Sequence, residues 1–360
     1  MRLSYSDHLV ALVSQAEAAA TRLAAADPAL RHALAADARR ESARLSARLD
    51  ASPLTDVTAD AVDQREARGE PWVAGSADGA PLAARVAAGW AQTLKVDQVA
   101  DQDVAALEYA NLLACFDAEP ALAETFLDRP RESLVHLHGV ICRGLLEPGL
   151  VGRPRRTDLA VHDGAQGRVL YHPAPPQRID GLLDELAEWL AGSGGTKPAL
   201  VVAGVVHERL LQWQPFEAAN GRLGRAASRV VLRARGLDPD GVAVAERLLA
   251  ADPLRYHAEV AATIRRRDDF GPWLERVGEA VVAGLVAAAD AVGPRPPRQV
   301  PSRATAIAMA LEPGTSITVT EYRERSGASL GAARSELAAL VAAGELVVQP
   351  RAGGLRFRRV

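Results

Sequence analysis

From Asp7 to Asp50 the apolar positions recur at helical spacing, with Leu9, Leu12, Val13 and Ala16 in one run and Leu30, Ala33, Leu34 and Ala38 in the next. A three-to-four-residue apolar period marks one buried face of a helix, and Pro28 fits the break between two of them. The stretch 52–78 is richer in Pro, Gly, Asp and Ser and predicts a short helix after Leu54 followed by a loop. Further helical patterns run over 81–94, 101–116 and 121–146, the last stopped by Glu147-Pro148-Gly149. At 157–171 the period changes. Leu159-Ala160-Val161-His162 and Arg168-Val169-Leu170-Tyr171 flank a glycine-bearing turn, which predicts a β-hairpin closed off by Pro173, Pro175 and Pro176. Helical patterns return at 179–190, 198–212, 220–235 and 255–288.

The proline-dense stretch Gly293 to Pro301 cannot continue a helix and reads as a linker, placed at 291–301. Beyond it, residues 302–360 predict a winged helix, a small α+β domain: helices over 302–311, 320–326 and 329–343, a strand over 316–319, and a wing formed by 345–349 and 355–359 around Gly353-Gly354. Gly327 is placed to end one helix and Ser329 to cap the next. No internal repeat interrupts this order.

With 360 residues, of which 48% are hydrophobic and 24% charged, the chain can bury a large core and hold several domains. No apolar run is long enough for a bilayer and the first residues lack a basic-then-apolar leader, so the expected location is cytoplasmic with no membrane partner. Cys115 and Cys142 have neither CxxC spacing nor scaffold density, which predicts small buried residues. The net charge of −3 excludes a polycation built throughout for nucleic acid. From Arg298 onward, however, nine arginines face five glutamates. Arg334 on the helix expected to read DNA, and Arg351, Arg356 and Arg358 on the wing, suit contacts to the phosphates of duplex DNA. That helix offers few side chains that read base edges, and winged helices also dock proteins, so both partners stay open.

The chemistry-bearing stretch is Gln214-Pro215-Phe216-Glu217-Ala218-Ala219-Asn220-Gly221-Arg222-Leu223-Gly224-Arg225. Upstream of it stand Leu134-Val135-His136-Leu137-His138, Gly152-Arg153-Pro154-Arg155-Arg156-Thr157, the hairpin, Tyr171-His172-Pro173-Ala174-Pro175-Pro176 and Val205-Val206-His207-Glu208-Arg209-Leu210. This ordered series resembles the Fic family over most of residues 35–290. The resemblance implies a mainly α fold: a Fic-type helical core with a β-hairpin flap at 121–290, N-terminal helices at 1–120, and the winged-helix domain behind the linker.

The activity it implies is transfer of a nucleotide moiety, usually AMP from ATP, to a protein hydroxyl. In that chemistry a histidine takes the hydroxyl proton, an acidic residue four positions on holds Mg²⁺, and a helix N-terminus with two arginines binds the phosphates. Here Asn220, Gly221, Arg222 and Arg225 match the phosphate-binding half, while Gln214 stands at the histidine position and Ala218 at the acidic one. An amide is no base near neutral pH, and Ala218 has no oxygen for a metal. Glu217, one residue early, is the remaining carboxylate for Mg²⁺. Leu159, Val161, Val169 and Tyr171 fall on the flap, which in the family aligns a target protein by strand-like pairing.

Ser46-Ala47-Arg48-Leu49-Asp50-Ala51 resembles the family's inhibitory helix, whose glutamate pairs with the arginine matching Arg225. Asp50 keeps the charge with one methylene less, and Ala51 replaces a glycine or asparagine. Ser46 and Asp50 are therefore the candidate inhibitory residues.

Plainer readings stand beside each of these. Pro215 and Phe216 suit a helix-entry turn and a core aromatic, Asn220-Gly221 a cap, Arg222 and Arg225 carboxylate partners, His207 a buried helix position, and 46–51 an amphipathic helix end. Two functions follow: a degenerate Fic protein that binds ATP, another nucleotide or phosphate as a regulator or adaptor, or a nucleotidyltransferase with non-standard catalytic residues. A second copy of the chain completes the expected partners.

Overall fold

The computed structural model describes residues 3, 5–70, 72, 98–162, 169–266, 269–292, 302–351 and 354–360. The helix expected at 81–94, the turn of the hairpin at 163–168 and the linker from 293 to 301 lie outside the described residues.

Helix α1 (Asp7–Ala24) is opened by Ser6, whose hydroxyl accepts from the Leu9 N–H, and α2 (Pro28–Leu49) by Asp27 with Pro28 in its first turn. Both caps satisfy N–H groups that a helix start leaves without a partner. Helix α3 (Asp56–Ala67) starts on Thr55 in the same way. Helix α4 (Gln98–Ala123) continues past Pro120, and the break expected before Ala121 falls instead after Ala123. A proline in the last turn removes little of the hydrogen-bond ladder, so the helix tolerates it. Helix α5 (Pro130–Ile141) then begins on Pro130.

The hairpin is short. Strand β1 (Val161–His162) pairs antiparallel with β2 (Val169–Tyr171), Val161 opposite Tyr171, so Leu159, expected in the strand, precedes it. Helices α6 (Ile179–Ala191), α7 (Ala199–Trp213) and α8 (Asn220–Ala234) follow. The expected single helix 255–288 is two, α10 (Pro253–Arg265) and α11 (Gly271–Ala291), after a one-turn α9 (Glu246–Leu249). Pro272 in the first turn of α11 cannot donate backward into a preceding helix, which separates the two.

Helices α7 and α8 run through the middle of the main core. Val201, Val205, Val206 and Leu210 on the first, and Leu223, Ala226, Val230 and Val231 on the second, are fully buried. A second cluster joins α2, α3 and α4 through Ala43, Ala47, Val62, Tyr109 and Leu112. These two cores bring the end of α2 and the middle of α4 against the start of α8, which is what assembles the site.

The C-terminal residues bury a separate cluster that includes Ile317, Tyr322, Leu337, Leu340 and Phe357. Helices α12 (Ser302–Met309), α13 (Val319–Ser326) and α14 (Leu330–Ala342) pack with a sheet of β3 (Ser316–Ile317), β4 (Leu346–Arg351) and β5 (Gly354–Arg359), with β5 in the centre. Thr318 and Glu321 form a reciprocal capping box, Gly327 ends α13 in the left-handed conformation, and Ser329 caps α14.

Candidate functional site

The loop between α7 and α8 is bracketed by two left-handed residues, Gln214 (φ 46°) and Ala219 (φ 58°). Such values are costly for side chains other than glycine and persist where surrounding contacts fix them. Several contacts do so here. Asn220 closes a ring with Phe216, accepting from its N–H at 3.0 Å and donating to its carbonyl at 2.8 Å. His138 stacks on the Phe216 ring with centroids 4.1 Å apart. The Gly152 N–H donates to His138 Nδ1 at 2.9 Å, so the ring proton sits on Nε2 and points at the Ala218 carbonyl, 3.3 Å away. Burial pushes the His138 pKa down to about 4, against the opposing effect of that carbonyl, and keeps the ring neutral.

Arg155, which the sequence placed only at the entry to the hairpin, proves to be the central brace. It is buried, and its guanidinium donates to four backbone carbonyls: Gln214 at 2.6 Å, Thr157 at 2.5 Å, Trp213 at 3.1 Å, and Ala174. Its own N–H donates to the Pro215 carbonyl at 2.9 Å. One residue thus ties both ends of the hairpin segment to the loop that carries Gln214. Burial, partly offset by Glu217 and Asp158, lowers its pKa, yet an arginine stays charged.

Tyr171 stands next to Gln214. Its hydroxyl donates to the Leu211 carbonyl at 2.8 Å and lies 3.4 Å from Gln214 Nε2. Gln214 Nε2 itself donates to the Leu211 carbonyl at 3.0 Å, so the side chain folds back over the end of α7 as a cap. Glu217 accepts from the Thr157 hydroxyl at 2.7 Å. Val169 is exposed and Val161 half-buried.

The half of the motif from Asn220 to Arg225 faces the end of α2. Arg225 donates from Nε to the Ser46 hydroxyl and from Nη2 to the Ser46 carbonyl, both at 2.8 Å, and its Nη2 stands 3.0 Å from Asp50 Oδ1. Arg222 Nε lies 3.4 Å from the other Asp50 oxygen, and its Nη2 donates to Glu108 on α4 at 2.7 Å. A Cβ on Gly221 would meet Asp50 Oδ1 at 2.6 Å, so the carboxylate rests directly on the N-terminus of α8, where only a glycine leaves room for it. Burial would raise the Asp50 pKa, but Arg225 and Arg222 outweigh it and hold the carboxyl below its usual range. For both arginines burial acts to lower the pKa, and the carboxylates hold it above the ordinary value.

Behind Arg225, Tyr256 accepts from its Nη1 at 3.4 Å and meets His207 Nε2 at 2.8 Å. His207 is buried and its pKa is pushed well down by burial and by Arg225 and Arg229, so it stays neutral in the core. His257 Nε2 lies 3.1 Å from the Leu49 carbonyl and holds the end of α2. Directly after Asp50, Ala51 adopts φ 59°, the conformation that favours glycine or asparagine.

Ala218 has no side-chain oxygen for a metal, one Glu217 oxygen accepts from the Thr157 hydroxyl, and among the described residues no group of three or more His, Cys, Asp and Glu is placed to hold an ion. Neither Arg155 as a brace nor Glu108 as a partner of Arg222 was readable in advance. Glu108 is one acidic residue in a helical run, and no local pattern distinguishes it.

In the C-terminal residues, Arg334 is half-exposed on α14, while Arg356 and Arg358 flank the buried Phe357 on the central strand and so share its outer face. Arg351 pairs with Gly354 at the end of β4. Glu336 on α14 turns inward, accepting from Tyr322 at 2.7 Å and from Arg303 Nε at 3.0 Å.

The mainly helical body resembles a Fic-type fold, and comparison with known proteins agrees on that fold. Residues 127–232 match the Fic/DOC family. A Fic family protein from Desulfovibrio desulfuricans has a similar structure at TM-score 0.60 and 19% identity, over 99% of this chain and 97% of that one. A Fic domain containing signaling protein from Bacteroides thetaiotaomicron matches at TM-score 0.52 and 17% identity, over 78% of this chain and 96% of that one. Fic-1 from C. elegans matches at TM-score 0.51 and 14% identity, over 78% and 72%. At these identities the likeness is one of fold. Comparison with curated proteins finds no match. Among the described residues, no helix is long and apolar enough to cross a membrane.

Proposed function

We propose that this chain is a Fic-fold nucleotide- or phosphate-binding regulator or adaptor, with the phosphate cradle retained, the AMP-transfer apparatus disabled, and the cradle closed by its own Asp50. The observation that carries this reading is the position of the Asp50 carboxylate, between Arg222 and Arg225 and against Gly221. Two guanidiniums and a helix N-terminus converge on one point, and an internal anion fills it. Gln214 spends its amide on the Leu211 carbonyl and has no basic lone pair near neutral pH, and losing a general base costs on the order of 10²–10⁴ in rate. With Ala218 at the acidic position, charge neutralisation at the phosphates is lost as well.

The test is Asp50→Gly with calorimetric titration of ATP, with and without Mg²⁺, alongside incorporation of labelled nucleotide. The reading expects binding by the variant, little or none by the parent, and no incorporation by either. Absence of binding in the variant would reduce the core to a scaffold. Incorporation would favour the alternative, a nucleotidyltransferase with non-standard residues.

We further propose that residues 302–360 form a winged helix that contacts duplex DNA through phosphates. The supporting observation is that Arg334 and Arg358 have no ion-pair partner among the described residues, while Arg356 and Arg358 share one face of the sheet. Docking of a protein is the reading that takes over if the full chain shows no salt-dependent affinity for DNA.

A further inference from the structure

Glu108 occupies an unusual place in this cradle. It comes from α4, a helix outside the matched family segment, is 4% exposed, and accepts from Arg222 at 2.7 Å. With Asp50 in place the buried group holds two guanidiniums and two carboxylates, and no net charge. If Asp50 leaves, Glu108 stays on Arg222 and the open cradle carries +1 rather than +2. Buried charges are weakly screened, so that single unit decides which anions the cradle accepts.

We infer that Glu108 is a specificity-determining residue of the anion site: it cancels Arg222, limits the open cradle to a single positive charge, and so selects a ligand presenting one phosphate over one presenting a polyphosphate. This rests on the cradle proposed above. The geometry supports a standing role for Glu108. Asp50 lies at the end of α2, followed by the left-handed Ala51, and is the part free to leave, whereas Glu108 is in the interior of a 26-residue helix packed against α8. Arg222 Nε also has no aligned acceptor although it is buried, which leaves one donor to receive a ligand oxygen after Asp50 moves.

The experiment compares orthophosphate and pyrophosphate binding by calorimetry to full-length D50G and D50G/E108Q. Glutamine keeps an acceptor for Arg222 and removes only the charge. We expect D50G to bind orthophosphate more tightly than pyrophosphate, and E108Q to shift the preference toward pyrophosphate at least about tenfold. An unchanged preference, with binding intact, overturns the inference and leaves the cradle standing. No anion binding by either variant removes the cradle, and the inference with it.

Because two unbalanced buried guanidiniums could prevent folding of D50G/E108Q, D50G/E108Q/R222Q provides a second arm. It deletes the buried pair without changing the cradle's net charge, a kind of replacement that proteins often tolerate. The pyrophosphate-to-orthophosphate preference should then stay within about threefold of D50G, because Glu108 already cancels Arg222 and the lost Arg222 donor weakens both anions alike. A preference for pyrophosphate lowered by about tenfold or more would show Arg222 acting as a full charge and overturn the inference.

Discussion

The Asp50 carboxylate stands 3.0 Å from Arg225 Nη2, and the Ser46 hydroxyl and carbonyl accept from Nε and Nη2 of that guanidinium, both at 2.8 Å. The end of α2 therefore supplies three oxygens to one arginine of the motif. A ligand phosphate that is to reach Arg225 has to displace Asp50, and the Ser46 contacts fix the guanidinium where it would be met.

If the cradle is intact apart from this obstruction, the missing chemistry should be restorable. Gln214→His, Ala218→Asp and Asp50→Gly together should gain transfer of AMP from radiolabelled ATP, read by in-gel self-modification. Neither Gln214→His nor Ala218→Asp alone in the Asp50→Gly background should do so, since base and metal ligand act as one unit. Histidine is compatible with the left-handed backbone at position 214. A triple variant that does not bind ATP shows that the cradle has decayed.

Ala51 holds a glycine-like conformation at the end of α2 with φ 59°. Ala51→Gly should relieve that strain and stabilise the protein by about 0.5–1 kcal/mol, less what the more flexible unfolded chain takes back. Chemical denaturation measures it. A destabilised variant would mean that the unfolded-state entropy outweighs the strain.

Arg155 satisfies carbonyls at both ends of the hairpin segment and in the loop holding Gln214. Arg155→Ala should cost about 2–4 kcal/mol, because several carbonyls lose their donor at once and the loop loses its brace. Limited proteolysis should then cut between 155 and 175 more readily than in the parent, and unchanged stability would remove Arg155 from its bracing role.

His138 remains neutral in the fold with a pKa near 4, against an ordinary value of 6.5, and His207 is displaced in the same direction. A histidine with a depressed folded-state pKa contributes its full stability above pH 6.5, and that stability is lost as pH falls toward 4, because the unfolded chain takes the proton first. The part due to His138 is on the order of 3 kcal/mol. Denaturant titrations across this range should show falling stability, and His138→Gln should flatten the fall while lowering stability at neutral pH. A variant with the parent's slope would assign the acid sensitivity elsewhere.

For the C-terminal residues, Arg356→Ala and Arg358→Ala in the full chain should weaken DNA binding uniformly across sequences and reduce the salt slope by about one each. Fluorescence anisotropy at a series of salt concentrations reads both. Sequence-dependent loss would instead point to contacts with base edges.

The sequence by itself determined most of the helices and their starts, because apolar period and capping are local. Ser6, Asp27, Thr55 and Ser329 each open the helix that follows them through a side chain a few residues from the N–H it accepts. It also determined the constituents of the proposed cradle: the run from Asn220 to Arg225, and glutamine and alanine at 214 and 218, are written in the chain. Helix ends near Ala123 and Arg265 were less legible, since a proline near a terminus stops a helix or is absorbed depending on what packs beside it.

Only the tertiary structure decided what the motif's side chains meet. Ser46 reaches Arg225 across 179 positions of sequence and Glu108 reaches Arg222 across 114, while Arg155 collects carbonyls from segments far apart in the chain. Such contacts arise from which faces of α2, α4 and α8 are buried against one another. Local periodicity shows that a face is buried, but it does not name the partner, so whether each arginine faces solvent, a phosphate or a carboxylate is settled by packing alone.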